Sequence, residues 1–358
     1  DKKGYSLIIK SDSIIISSKS QKGTLHGLQS LFQLIALNEG LNQNFSLPCI
    51  EIDDSNFFQH RGFLLDCCRH FFDVNTIKKY IDLLSIYKMN VFHWHLTEDQ
   101  GWRIEIEKYP LLNSVGSWRN DSLEKYGGYY TKEQIKEVVK YAKKRHIDII
   151  PEIELPGHAQ AAIASYPNLS CNQKYVDVAN DWGVFKEIYC AGNDSVFIFI
   201  EDILNEVIEL FPSNLIHIGG DEAPKFRWKN CPKCQNRIKT EGLKDEHELQ
   251  SYFIERVANI LAKKNKTIIG WDEILESEIK TDAIIQSWRG FEGGIKAVKS
   301  GKKAIMSPTS NAYFDYKIST TDLEKVYDFN PIPKGLTPKE QNLIIGGECN
   351  LWSERILN

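Results

Sequence analysis

Eight short apolar runs, most of them separated by stretches of helical periodicity, constrain this chain more than any other feature. They are 61–66 (RGFLLD), 90–96 (NVFHWHL), 147–152 (IDIIPE), 215–219 (LIHIG), 267–272 (TIIGWD), 283–288 (AIIQSW), 303–307 (KAIMS) and 343–349 (LIIGGEC). Short, nearly continuous apolar runs are the pattern of parallel strands covered on both faces. Between them, residues 75–88, 132–145, 196–211, 246–264 and 291–300 place apolar side chains at helical spacing. This alternation predicts an α/β fold, a (β/α)8 TIM barrel, ahead of a doubly wound sheet. The doubly wound alternative stays open because 307–343 shows no clear helix. Six residues follow Trp352, so the final barrel helix is expected to be missing.

Upstream, residues 5–17 read as two β-like runs joined by Lys10-Ser11-Asp12-Ser13. Residues 24–37 carry Leu25, Leu28, Leu31, Phe32 and Ile35 at helical spacing. A hairpin and a helix bury too little surface to stand alone. We therefore expect 1–56 to be the tail of an accessory α+β domain, with Phe45 to Asn56 as linker. Residues 57–358 are expected to form the barrel, truncated at its C-terminus. The first residue is neither Met nor the start of a signal peptide, so the chain is expected to be processed or cut from something larger.

The formal net charge of −4 and the absence of a basic run make nucleic acid and anionic membranes poor partners. No apolar stretch approaches a membrane span. Eight cysteines are scattered, and Cys231-Pro-Lys-Cys234 has the only metal-like spacing. No second CxxC or HxxxH completes it, so free thiols or a local disulfide in a surface loop are expected, with no metal.

In a (β/α)8 barrel the site is built at the C-terminal ends of the strands. The central stretch is 215–224, LIHIGGDEAP. Adjacent residues within a strand point to opposite faces, so Asp221 and Glu222 can serve one site only where regular pairing ends. Gly219-Gly220 permits that sharp exit. Crowding two carboxylates raises the pKa of one, leaving an acid able to donate a proton near neutral pH. The bland reading of the pair is a cap on the next helix. The other strand ends carry Asp66 and Arg69; His93, His95, Glu98 and Asp99; Glu152, Glu154 and His158; Trp271 and Asp272; Trp288; Tyr313 and Asp315; Trp352 and Glu354. Acids and Trp with few Lys fit a sugar, whose hydroxyls meet carboxylates and whose CH face meets aromatics.

The segments LDCCRHFF (65–72), FHWHLTEDQGWR (92–103), PEIELPGHA (151–159), HIGGDEAP (217–224), GWDE (270–273), QSW (286–288), NAYFDY (311–316) and GGECNLWSE (346–354) resemble, in order, the family 20 glycoside hydrolases, the β-N-acetylhexosaminidases. GLQSLFQL (27–34) resembles the end of that family's accessory domain. The resemblance implies removal of terminal β-linked N-acetylglucosamine or N-acetylgalactosamine from a glycan, with retention, without a cofactor, and outside the cytosol. It implies substrate-assisted catalysis, in which the 2-acetamido group is the nucleophile. Adjacent Asp221 and Glu222 suit this better than a pair of carboxylates straddling the scissile bond. Glu222 would then be acid and base, and Asp221 would orient the acetamide N–H.

By position, Arg69 matches the residue that binds O3 and O4, and Tyr313 the donor to the acetamide oxygen. Trp271, Trp288 and Trp352 match the walls of the acetamide pocket, and Asp315 and Glu354 the residues that hold O4 and O6. His158 matches a histidine linking the acid/base Glu to the first acid of a DDQ motif. Here that motif reads Glu98-Asp99-Gln100, so either Glu98 or Asp99 is expected to make the contact. Two readings from other classes stand beside this one. His93 and His95 form an HxH that could chelate a metal in an amidohydrolase-like barrel, and the same pocket could bind sugar without turnover.

Overall fold

The computed structural model describes residues 4–38, 46–121, 124–276 and 279–356. Its first unit is a three-stranded antiparallel sheet in which Tyr5–Ile9 lies between Ile14–Ser18 and Ile50–Asp54. The helix Gln21–Asn38 packs on it, and Tyr5, Leu7 and Ile9 are buried with Ile16, Leu31, Leu34 and Ile52 around them. The strand Ile50–Asp54 corrects the expectation of a linker there. Its exposed Glu51, Asp53 and Asp54 mask the strand pattern, as charge on an edge strand does. Lys88, just beyond the helix Val74–Ile86, ties this sheet to the larger unit through Asp54 at 3.0 Å and the Tyr5 hydroxyl at 2.8 Å.

That larger unit is a closed barrel of eight parallel strands: His60–Asp66, Val91–His95, Asp148–Leu155, Leu215–Gly219, Thr267–Trp271, Ala283–Ser287, Lys303–Met306 and Ile344–Leu351. The eighth pairs with the first over six residue pairs, from Gly346 opposite His60 to Leu351 opposite Leu65. All eight apolar runs are strands, so the doubly wound alternative is excluded. Val74–Ile86, Lys132–Lys143, Asp194–Leu210, Glu246–Ala262 and Glu292–Lys299 are the outer helices. Between the seventh and eighth strands the chain makes only three short helices, Thr309–Ala312, Leu323–Tyr327 and Pro338–Gln341.

Alternate strand residues point into the barrel, so the interior rises in layers. Val91, Ile150, Ile269, Ile284, Ile305 and Ile345 form an apolar base. Two residues further along their strands stand His93, Glu152 and Gln286, joined by His217 and Glu348 in a buried polar layer. His93 Nδ1 donates to Glu348 Oε1 at 2.7 Å, and its Nε2 lies 3.2 Å from Glu152 Oε2. His217 Nδ1 lies 2.6 Å from Glu152 Oε1, and His95 Nδ1 donates to Glu152 Oε2. Glu348 also accepts from His60 Nε2 at 2.7 Å and from Gln286 Nε2 at 2.8 Å.

Burial alone would depress both histidines of the HxH. Glu348 and Glu152 instead hold His93 up at about 9, and Glu152 with Glu98 holds His95 up at about 10. Both ring nitrogens of each histidine face carboxylates, Glu348 and Glu152 for His93 and Glu152 and Glu98 for His95, which suits buried counter-charges of the barrel core.

Candidate active site

Above the polar layer, every strand end contributes to one cavity of about 390 Å³. Among its lining residues are Arg69, Glu98, His158, Asp221, Glu222, Trp271, Trp288, Tyr313, Asp315, Trp352 and Glu354, so all eleven sequence-predicted residues meet there. The fourth strand stops at Gly219, and the chain leaves through positive φ at Gly219 (64°), Gly220 (93°) and Glu222 (41°). The glycines are needed for space as well as angle. A Cβ at Gly219 would sit 1.7 Å from Glu154 Oε2, and one at Gly220 would sit 2.4 Å from Ile274 Cγ2. The turn puts both carboxylates on the cavity side, with the Asp221 side chain 14% exposed and that of Glu222 38% exposed.

His158 stands behind them, itself at φ 48°. Its Nε2 lies 3.7 Å from Asp221 Oδ2 and 3.6 Å from Glu222 Oε2, while Nδ1 donates to Glu98 Oε1 at 2.7 Å. Asp99 Oδ2 is further away, at 3.4 Å. Glu98 therefore makes the shorter contact. Its other oxygen accepts from His95 Nε2 at 3.2 Å and pairs with Arg69 Nη2 at 3.0 Å. Burial disfavours the charged forms of His158 and Glu98. Their mutual attraction, with Arg69 beside Glu98 and Asp221 beside His158, overcomes this, holding His158 well above its ordinary value and Glu98 well below.

The raised carboxylate is Asp221, not Glu222. Burial, with Glu152 and Glu222 nearby, pushes Asp221 up to about 7 against the opposing pull of His158. Glu222 is lowered by its contact with His158 and by the Arg69 charge, which outweigh its partial burial. Crowding alone did not reveal which acid lies deeper.

Arg69 is placed by Asp66, which ends the first strand. Asp66 Oδ1 accepts from the Cys68 and Arg69 backbone at 2.8 and 3.2 Å, and Oδ2 accepts from Ser353 N and Oγ at 3.1 and 2.9 Å. One carboxylate thus aligns Arg69 with the loop that carries Trp352 and Glu354. The Arg69 guanidinium also stacks over Trp352 at 5.2 Å. Trp271 and Trp352 have centroids 6.0 Å apart, Tyr313 and Trp352 6.3 Å, and Trp288 stacks on Tyr313 at 6.3 Å. Together they form an aromatic cage beside Asp221. Trp288 is fixed by donating Nε1 to Glu273 Oε2 at 2.9 Å and its backbone N–H to Asp272 Oδ2 at 3.1 Å. Burial pushes Asp315 up to about 6 and raises Glu354, and Asp315 Oδ1 is a buried acceptor without a partner among the described residues.

The cavity is also lined by Glu154, Trp182, Tyr316 and Arg355, to which sequence reasoning assigned no role. Glu154 was legible as a strand-end acid and Tyr316 lies within NAYFDY. Trp182 comes from a loop, where no periodicity marks it.

Among known families, the model "Glycosyl hydrolase family 20, catalytic domain" matches residues 58–358, and "Glycosyl hydrolase family 20, domain 2" matches residues 1–55. A β-hexosaminidase of Porphyromonas gingivalis is 47% identical over 98% of this chain. The chain spans only about half of that relative's length, 47%. Flavobacterium johnsoniae chitobiase superimposes with a TM-score of 0.89 at 38% identity, covering 98% of this chain and 52% of its own. An exo-β-N-acetylglucosaminidase of Vibrio harveyi, solved with N-acetylglucosamine, gives a TM-score of 0.89 at 32% identity, covering 100% of this chain and 60% of its own.

Proposed function

The chain belongs to glycosyl hydrolase family 20, and from that premise we propose that it removes terminal β-linked N-acetylglucosamine or N-acetylgalactosamine from glycans, with the substrate's acetamido group as nucleophile. The observation that carries the mechanism is the adjacency of Asp221 and Glu222 on one wall, both facing His158 and beside the aromatic cage. A conventional retaining pair needs carboxylates on opposite sides of the scissile bond, about 5–5.5 Å apart. Two consecutive residues on one turn do not provide this.

In the proposed reaction Trp271, Trp288 and Trp352 enclose the acetamide. Asp221 accepts its N–H, Tyr313 donates to its oxygen, and that oxygen is held against the anomeric carbon. Glu222 protonates the departing oxygen as the C1–O bond breaks and the C1–O(acetamide) bond forms. It then takes a proton from the water that reopens the oxazolinium ion. The substrate must desolvate Glu222 and so raise its affinity for a proton, because Asp221 is the more basic of the two without substrate. Arg69 offers a planar fork to O3 and O4, while Asp315 and Glu354 hold O4 and O6. We assign residues 1–56 to the tail of an accessory domain and 57–358 to the catalytic barrel, and place the protein outside the cytosol. No described helix is long and apolar enough to cross a membrane.

Hydrolysis of an aryl N-acetyl-β-glucosaminide, with no hydrolysis of the matching glucoside, tests this reading. Turnover of the glucoside at a comparable rate would overturn it, and sugar binding without turnover would leave a lectin.

A further inference from the structure

Four cysteines that are far apart in sequence converge outside the barrel mouth. Cys171 follows the turn Pro167–Leu169, and Cys190 closes the loop that leaves it. Cys231 is the N-cap of the helix Pro232–Glu241, and Cys234 lies in its first turn. Their sulfur atoms all lie within 4.8 Å of one another. Cys171 to Cys234 is 3.7 Å, Cys234 to Cys190 is 3.7 Å, and Cys190 to Cys231 is 3.8 Å. Three of the four are buried, and none is in a disulfide.

These spacings have a specific meaning. A zinc–thiolate bond is about 2.3 Å, so sulfurs at the corners of a tetrahedron stand about 3.8 Å apart. A disulfide needs about 2.05 Å, and here Cys190 and Cys234 each have two neighbours at equal range. The backbone is packed to keep the cluster tight. A Cβ at Gly192 would lie 2.2 Å from the Lys233 carbonyl carbon and 2.4 Å from Cys234 N, so the two cysteine-bearing segments touch main chain to main chain. The N-terminus of the ten-residue helix Pro232–Glu241 also favours negative charge on the two sulfurs it carries. Cys231 and Cys234 are free thiols, as one of the two expectations had it, but they are buried in this cluster and not in a surface loop. The missing half of the ligand set is Cys171 and Cys190, whose spacing is no recognisable motif.

We propose that Cys171, Cys190, Cys231 and Cys234 bind one structural zinc ion as thiolates. The site has no catalytic part: it closes the base of the loop 172–189. That loop reaches the catalytic cavity, where Trp182 lines the wall under the Arg119 guanidinium, 5.2 Å from the ring. It also lies on the segment that carries Glu98, since Ala179 N donates to Asp99 O at 3.1 Å and Gln100 Nε2 donates to Asp181 O at 2.8 Å. Tetrahedral coordination by four thiolates would join this loop to the segment that follows Asp221 and Glu222, beside the Arg227–Glu187 ion pair, Nε to Oε1 2.9 Å.

The test is metal content of the purified chain after expression with added zinc. We expect about one zinc per chain, falling below about a tenth in Cys231→Ser/Cys234→Ser and unchanged in Cys49→Ser/Cys349→Ser. Co2+ exchanged into the site should give the intense absorption of tetrahedral thiolate coordination. Wild-type chain without zinc, or with peptide maps showing disulfides among these four residues, overturns the proposal. Limited trypsin digestion tests the bracing role independently of any activity. Cleavage at Lys174 or Lys186 should be at least about tenfold faster in the double serine variant, and an unchanged rate would overturn that role.

Discussion

His158 Nδ1 donates to Glu98 Oε1 at 2.7 Å, which leaves Nε2 facing both Asp221 and Glu222 at 3.7 and 3.6 Å. Because Glu98 also pairs with Arg69 at 3.0 Å, one carboxylate links the residue proposed to grip the sugar with the pair proposed to cleave it. Glu98→Gln should weaken both contacts and lower kcat/KM about 10–100-fold, as loss of a charged hydrogen bond does. Glu98→Asp keeps the charge but is one methylene shorter. It should recover kcat while KM stays high, because it can reach His158 or Arg69 but not both. Equal kcat and KM in both variants would show that Glu98 serves neither.

Glu222→Gln should nearly abolish hydrolysis of glycosides with poor leaving groups while leaving binding largely intact. Aryl glycosides of very acidic phenols need little protonation and should lose less in the first step. Rates measured across leaving groups of graded pKa decide this. Equal losses throughout would remove Glu222 from the role of acid.

Asp221→Asn should lower kcat strongly with good and poor leaving groups alike, since the acetamide N–H loses its anionic partner. Successive fluorination of the substrate's acetyl group should slow the wild type steeply, by withdrawing electrons from the attacking oxygen. A flat response would eliminate the acetamide as nucleophile.

The same residue should leave a signature in stability. Asp221 is raised from 3.8 to about 7 in the fold. Between those values the folded state holds a proton that the unfolded state has lost, so its contribution to stability falls as pH rises from about 4 through about 7. Asp221→Asn removes that penalty. Its melting temperature should match the wild type near pH 4 and exceed it above pH 7. The opposite trend would show that Asp221 is not buried as a strained acid.

Glu348→Gln should destabilise the barrel by about 3–5 kcal/mol, because it removes one of the two buried carboxylates that face His93 and weakens the hydrogen bond to His60. Denaturant unfolding measures this. A loss of activity without loss of stability would return the HxH to catalysis.

The barrel was legible because parallel strands covered on both faces read as apolar runs, and the eight runs recur as the eight strands. The turn at Gly219-Gly220 was legible because two glycines ahead of adjacent acids permit a sharp exit; the structure adds that a Cβ at either would meet Glu154 or Ile274. The features that stayed hidden depend on depth or on distant folding. Ile50–Asp54 carries too much exposed charge to look like a strand. That Asp221 rather than Glu222 is the raised acid comes from the deeper burial of Asp221 and the contact of Glu222 with His158, which spacing does not encode. Cys171 and Cys190 meet Cys231 and Cys234 only after an eighteen-residue loop has folded back.

The contact between His60 and Glu348 spans 288 positions of chain. One edge of the first strand and the His60 ring therefore find their partners only when the eighth strand is in place. Neither the main-chain ladder nor the interior charge balance can be completed by a partial product on the ribosome. Closure is thus a long-range event, and until it occurs the first strand keeps an open edge of the kind that makes folding intermediates prone to mispairing.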